Sequence, residues 1–178
     1  MKKLIFLVIF VQLSFNVFAA PMKMIGTKGK VSEVNKTIKI SMYDNYYEPK
    51  IINVKKNETI KFIVENKGML VHEFNIATMK MHKKHGPEML EMMKKGILLP
   101  TKINKIKMKE MSKHDKKMAH SHSNSVLLEP NKSGELIWKF STSAELYVGC
   151  NVPGHLEAGM ISKININFHF NYIWLVIL

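Results

Sequence analysis

Hydrophobic and polar residues alternate with a period of two along most of this chain. In the segment 59–66, for example, Ile60, Phe62 and Val64 share one face, while Lys61 and Glu65 lie on the other. Because successive side chains of a strand point to opposite faces, this pattern predicts a half-buried strand. Similar alternation predicts further strands at 37–43, 52–55, 71–77, 125–129, 135–141, 145–149 and 160–168.

The predicted strands are short, and few helical signals separate them. Seven or eight strands of this kind are typical of an all-β fold in which two antiparallel sheets pack face to face. A chain of 178 residues can build one core of ordinary size. We therefore expect one domain, a two-sheet β-sandwich over residues 31–167, preceded by a flexible lead over 21–30.

The segment 78–124 has a different character. It contains 12 lysines, eight methionines and five histidines, against four acidic residues and no aromatic residue. We interpret it as an insertion on the sandwich that lies outside the core. Gly86-Pro87 and Gly96 predict one short helix over 88–95, and low sequence complexity predicts a mobile chain over 102–125.

Both ends of the chain are apolar. Lys2 and Lys3 precede an apolar run over 4–11, and small residues up to Ala19 offer a cleavage site, which predicts a signal peptide over 1–19 and an exported, periplasmic protein. The tail 168–178 is shorter than the roughly 20 residues that a membrane-spanning helix needs. It extends the last strand or contacts a membrane or a partner, and the sequence leaves these alternatives open.

The chain is strongly basic, with a formal net charge of +13 that falls to +11 without Lys2 and Lys3. Nucleic-acid binding is not expected, because the protein is exported, lacks arginine and does not interleave its lysines with aromatic residues. A basic surface instead suits acidic partners or an anionic membrane, unless it reflects only an AT-rich genome.

The only cysteine, Cys150, is followed by His155 and Met160 at intervals of five. In an exported protein, a lone cysteine cannot form an internal disulfide, so it pairs between chains, stays free as a buried thiol, or binds a metal. A thiolate, an imidazole and a thioether in one loop suit copper, which in blue-copper sites also needs a second histidine. His72, at the start of a predicted strand, is the best candidate. The competing interpretation is an ordinary hairpin loop, because the Pro153-Gly154 turn needs no metal.

Four segments together resemble the cupredoxin family of type 1 copper proteins, especially the exported plastocyanin-like and azurin-like cupredoxins linked to copper tolerance. The resemblance covers residues 31–167 apart from the insertion. The segments are Asp44-Asn-Tyr-Tyr-Glu-Pro49, the stretch 52–62, His72-Glu-Phe-Asn-Ile76 and the loop from Cys150 to Met160.

This resemblance implies a Greek-key β-sandwich holding one type 1 copper. By the resemblance, His72, Cys150 and His155 are the equatorial ligands and Met160 is the weak axial ligand, with His155 near the surface. It further implies a monomer that is not an enzyme and that carries single electrons between periplasmic partners, with a redox protein as its partner.

An alternative function is copper handling or copper tolerance, with copper-handling proteins as partners. In this hypothesis the insertion captures additional Cu(I) through soft thioethers and imidazoles. The alternative for the insertion is a flexible basic loop whose methionines pack on the sandwich. The candidate ligands are Met79, Met81, His82, His85, Met89, Met92 and Met93, followed by Met108, Met111, His114 and Met118.

His120 and His122 form a His-x-His pair of the kind that supplies copper ligands in multicopper oxidases. A single pair in a loop rich in serine and lysine is a weak signal. Oxidases and nitrite reductases also need further domains or further paired histidines, so the sequence does not favour an enzyme.

Overall fold

The computed structural model describes residues 25–167, so the predicted signal peptide over 1–19 and the tail 168–178 lie outside the described residues. The described chain folds into two five-stranded sheets. Its helices are α1 (Met79–Lys94) and α2 (Lys105–Met111), and none is long and apolar enough to cross a membrane in the described part. The strands are β1 (Thr27–Lys28), β2 (Lys36–Met42), β3 (Tyr47–Glu48), β4 (Ile51–Lys55), β5 (Thr59–Asn66), β6 (His72–Ala77), β7 (Ser125–Leu128), β8 (Ser133–Lys139), β9 (Leu146–Gly149) and β10 (Ile161–Asn167).

The strand order confirms a two-sheet sandwich but corrects its pairing. One sheet has the order β1-β8-β5-β2-β3, and the other has the order β4-β10-β9-β6-β7. The pairs β2–β5 and β4–β10 are parallel, so the expectation of a wholly antiparallel sandwich was wrong. Alternation along a strand shows which face is buried but not which strand lies beside it.

Two short strands lie where the sequence pattern predicted none. β1 pairs with β8 inside the segment that we expected to be a flexible lead, and β3 pairs with β2 between the predicted strands 37–43 and 52–55. Ile25, just before β1, is buried, and its carbonyl accepts a 2.8 Å hydrogen bond from Trp138 Nε1. The ordered sandwich therefore begins before the predicted boundary at residue 31.

The core lies between the two sheets. Ile60, Phe62 and Val64 of β5 are fully buried, as the alternation predicted. Phe62 packs against Phe74 of β6 with ring centroids 5.2 Å apart. Burial of each such side chain contributes about 1.5–3 kcal/mol, so this contact holds the start of β6 in place against the facing sheet.

The insertion is more ordered than the sequence predicted. α1 spans 16 residues and contains Pro87. It begins earlier than predicted because the Thr78 side chain caps its N-terminus by accepting a hydrogen bond from the Met81 amide. The helix predicted over 88–95 is therefore only the second half of α1. The stretch 102–125, for which low complexity predicted a mobile chain, contains α2 and a 3-10 turn over Lys116–Ala119.

Methionines join the insertion to the sandwich. Met89 and Met92 of α1 and Met118 of the 3-10 turn are buried within the same hydrophobic core as the strands. A flexible thioether side chain fills irregular gaps well, which explains how a lysine-rich segment can still pack. The insertion thus contributes to the core, contrary to the expectation that it lies outside it.

Candidate metal centre

The loop between the neighbouring strands β9 and β10 carries three of the predicted ligands, Cys150, His155 and Met160. Cys150 follows the last residue of β9, and Met160 precedes the first residue of β10. The Cys150 amide donates to the Met160 carbonyl at 3.3 Å, and the Met160 amide donates to the His155 carbonyl at 2.9 Å. Gly154 and Gly159 have φ values of 89° and 90°, a region that glycine adopts without strain. The loop therefore folds back on itself and brings His155 to Cys150.

Three of the four predicted ligands present their donor atoms to one point. His72 Nδ1 lies 3.1 Å from His155 Nδ1, and Cys150 Sγ lies 3.4 Å from His155 Nδ1 and 3.9 Å from His72 Nδ1. Nitrogen and sulfur atoms held about 2.0 and 2.3 Å from a metal, in one plane, stand roughly 3.5 Å apart. This arrangement fits a small metal ion bound by two imidazoles and one thiolate.

The fourth predicted ligand, Met160, is fully buried at the end of the same loop. His72 and Cys150 are also fully buried, whereas His155 is partly exposed, as the sequence analysis expected. The candidate centre therefore lies just beneath the surface, with the His155 ring on its outer side.

Asp44 orients His72. Its Oδ1 lies 3.0 Å from His72 Nε2 and also accepts hydrogen bonds from the amides of Met69 and Leu70 at 2.8 and 3.2 Å. Because Nε2 is taken by the carboxylate, Nδ1 is left free to face Cys150. Carboxylates commonly orient metal-binding imidazoles in this way. Asp44 belongs to the family motif, but the sequence pattern alone gave no sign of this orienting role.

Gly68 leaves the space that this pair occupies. A Cβ placed on Gly68 would collide with both Asp44 Oδ1 and His72 Nε2. Any larger residue would therefore disturb the contact between Asp44 and His72.

Burial controls the protonation of the ligand groups. It raises the pKa of the Cys150 thiol to about 12, even though the Glu73 amide donates a 3.3 Å hydrogen bond to Sγ. Burial lowers the pKa of His72 despite Asp44, and burial together with His72 lowers the pKa of His155. Near neutral pH the imidazoles are ready to bind a metal, while the thiol must lose its proton on binding.

The methionines of the insertion largely pack against the sandwich, and Met81, Met93, Met108 and Met111 are partly buried against its core. Met89, Met92 and Met118 are buried in the core, and His114 is exposed. His82 is buried, with Nδ1 2.8 Å from Asn151 Oδ1.

A second histidine group forms from His85, His120 and His122. His85 and the His-x-His pair are far apart in the sequence, and only the folding of the insertion brings them together. Glu73 lies fully buried beside this group, and no sequence pattern marks it as a functional residue. Burial opposes its ionisation, but hydrogen bonds from His120 and His85 hold its pKa well below the usual range.

Comparison with known proteins agrees with this architecture. The family model described as Cupredoxin-like domain matches residues 6–96. A protein named "Copper-resistant cuproprotein CopI" from Pseudomonas aeruginosa is 37% identical over 147 residues, covering 79% of this chain and 81% of that protein. A protein of the same name from Rubrivivax gelatinosus is 28% identical, covering 78% of this chain and 71% of its own length.

Solved structures show the same fold. Auracyanin from Roseiflexus castenholzii covers 75% of this chain and 98% of its own length, with a TM-score of 0.53 and 16% identity. Auracyanin B covers 80% of this chain and 96% of its own length, with a TM-score of 0.56 and 11% identity. The sandwich, the family match and the extent of the relatives' similarity together confirm the resemblance first indicated by the sequence, and the chain belongs to the cupredoxin family.

Proposed function

We propose that this chain is an exported copper protein of the copper-tolerance type, with one type 1 copper held by His72, Cys150, His155 and Met160. The observation that carries the proposal is the convergence of two imidazole nitrogens and one sulfur within 3.1–3.9 Å of one another. When bound, copper would supply a one-electron couple between Cu(I) and Cu(II).

Each side chain has a distinct part in this centre. Cys150 provides a thiolate and the two histidines provide neutral imidazoles, a donor set that suits both oxidation states of copper. Met160 provides a weak thioether donor that favours Cu(I). The Asp44 carboxylate and the loop hydrogen bonds hold the donors in place, so the protein changes little between oxidation states.

Copper tolerance is favoured by the relatives. The Pseudomonas aeruginosa protein, 37% identical over 79% of this chain, is named for copper resistance. The basic insertion, which packs through α1 against β6 and β9, is a further feature that simple electron transfer does not need. By this proposal the chain binds copper in the periplasm and works with other copper-handling proteins.

A second candidate function is single-electron transfer between periplasmic partners. The observation that favours it is the position of His155, whose partly exposed ring connects the buried donor atoms to the surface. A redox protein docking over His155 would reach the centre through one imidazole.

The visible spectrum tests the copper centre. Addition of Cu(II) to the purified chain should produce an intense thiolate-to-copper band, which Cys150→Ser abolishes and the exposed His114→Ala leaves unchanged. A wild-type protein without this band would rule out the type 1 site.

Complementation then separates the two functions. In a copper-sensitive strain, the wild-type gene should restore growth on copper, and Cys150→Ser should not. If neither the wild type nor Cys150→Ser restores growth, while the purified wild-type protein exchanges electrons with a reduced c-type cytochrome, electron transfer is the better description of its function.

A further inference from the structure

Three histidines from two separate parts of the insertion meet at one point. His85 lies on α1, whereas His120 and His122 follow the 3-10 turn over Lys116–Ala119. Their ring centroids are 5.4 Å apart for His85–His120 and 5.0 Å apart for the other two pairs. One nitrogen from each ring lies within 4.8 Å of the others, a spacing that a single metal ion can bridge.

Two carboxylates border these rings. Glu73 Oε1 accepts hydrogen bonds from His85 Nε2 at 3.2 Å and from His120 Nε2 at 2.9 Å. Glu88 contacts His122 Nε2 at 3.3 Å through Oε1 and His85 Nδ1 at 3.4 Å through Oε2. Three neutral imidazoles, two carboxylates and one divalent cation would together carry no net charge.

The geometry of the three rings is what points to a metal site. Each ring places one nitrogen within 4.8 Å of the other two, and neutral imidazole is the commonest metal ligand among protein side chains.

The histidine group is open to solvent on one side. His122 is exposed, and a cleft of about 610 Å³ has His85, Glu88 and His122 in its wall. A hydrated ion can reach His85 and His122 through this cleft, and His120 lies behind them with its ring centroid within 5.4 Å of both.

We propose that His85, His120 and His122 form a second metal site that binds a divalent copper ion, with Glu73 holding two of the rings. Imidazole-rich sites bind Cu(II) more tightly than the other common divalent metals of the first transition row. The site differs from the Cu(I) cluster considered from the sequence, because its donors are imidazoles and the methionines Met89, Met92 and Met118 are occupied in the core. Only the choice of copper as the metal rests on the proposed function.

The test uses the Cys150→Ser chain, from which the proposed type 1 site is removed. Equilibrium dialysis against Cu(II) should show a bound ion whose electron paramagnetic resonance spectrum carries nitrogen splitting from imidazoles. The triple variant His85→Ala, His120→Ala, His122→Ala in this background should bind one copper fewer per chain.

Single variants protect the test against misfolding. His122 is exposed, so His122→Ala should leave thermal unfolding of the copper-free chain unchanged while weakening copper binding at least about tenfold. His114→Ala, an exposed histidine of the same insertion outside the group, is the matched control and should bind copper like the parent.

Equal copper binding by the triple variant and its Cys150→Ser parent would overturn the proposal. So would an equal loss of affinity in His114→Ala and His122→Ala. Failure of the type 1 proposal would appear separately, as a missing thiolate-to-copper band in the wild-type chain.

Discussion

The backbone amide of Glu73 donates a hydrogen bond to Cys150 Sγ over 3.3 Å. Glu73 directly follows His72 in β6, so one strand supplies both a candidate imidazole ligand and a donor to the candidate thiolate. Its side chain leaves the opposite side of the strand and holds His85 and His120. The candidate copper centre and the second histidine group are therefore neighbours joined by a single residue.

Gly68→Ala should weaken copper binding at the type 1 centre. The added Cβ would collide with both members of the Asp44–His72 pair and turn the imidazole away from Cys150. Loss of such an orienting contact typically lowers metal affinity about 10–100-fold, measurable as a weaker thiolate-to-copper band in competition with a chelator.

Gly86→Ala is the matched control for this substitution. No atom lies within 4 Å of a Cβ built on Gly86, so the band and the affinity should not change. If both alanine variants bind copper like the wild type, the orienting role of Asp44 is wrong.

Met160→Gln should lower the reduction potential while copper remains bound. Replacing a weak thioether with an amide oxygen removes a donor that favours Cu(I) and adds one that tolerates Cu(II) better. Protein-film voltammetry would measure the change, and an unchanged potential would mean that Met160 is not the axial ligand.

Copper binding should release one more proton in the wild-type chain than in Cys150→Ser at pH 8. Burial raises the pKa of the Cys150 thiol to about 12, so the group is protonated until a metal replaces the proton. Calorimetric titration in two buffers of different ionisation enthalpy measures the proton count. Equal release by the two proteins would show that the thiolate is not a ligand.

Glu73→Gln should destabilise the copper-free protein in a defined pH range. The Glu73 pKa is lowered below 4.5, because hydrogen bonds from His120 and His85 outweigh burial, so its stabilisation is present above about pH 4.5 and lost in acid. Burial would lower the pKa of His85, but Glu73 and Glu88 raise it above 6.5. The stabilisation that protonated His85 contributes is therefore present below pH 6.5, and it is lost as the pH rises through the raised pKa.

The decrease in the free energy of unfolding caused by Glu73→Gln should therefore be largest between about pH 4.5 and 6.5. Its size should be roughly 1–3 kcal/mol, the range for a buried hydrogen bond to a charged group. Urea unfolding at pH 4, 5.5 and 8 measures it. Because the pKa values of His72 and His155 are lowered, these two histidines make the folded state more stable at higher pH in the wild type and in Glu73→Gln alike. The difference in unfolding free energy between the two proteins therefore isolates the contribution of Glu73. Glu145→Gln, at an exposed site, is the control, and a pH-independent difference would contradict the argument.

The sequence by itself determined eight of the ten strands and the proposed copper loop. Period-two alternation depends only on neighbouring residues, and it located β5 to the residue. Cys150, His155 and Met160 lie within one segment of eleven residues, so their residue types and spacing alone indicate a candidate copper-binding loop. His72 was recognisable through the family motif around it.

Only the tertiary structure decided the contacts between segments distant in the chain. The parallel pairing of β2 with β5, the burial of Met118, and the meeting of His85 with His120 and His122 depend on where the chain returns after long excursions. Local periodicity carries no information on such returns, because they are set by how whole elements pack. The lysine-rich composition of the insertion also concealed its few buried methionines, whose packing brings the second histidine group to Glu73.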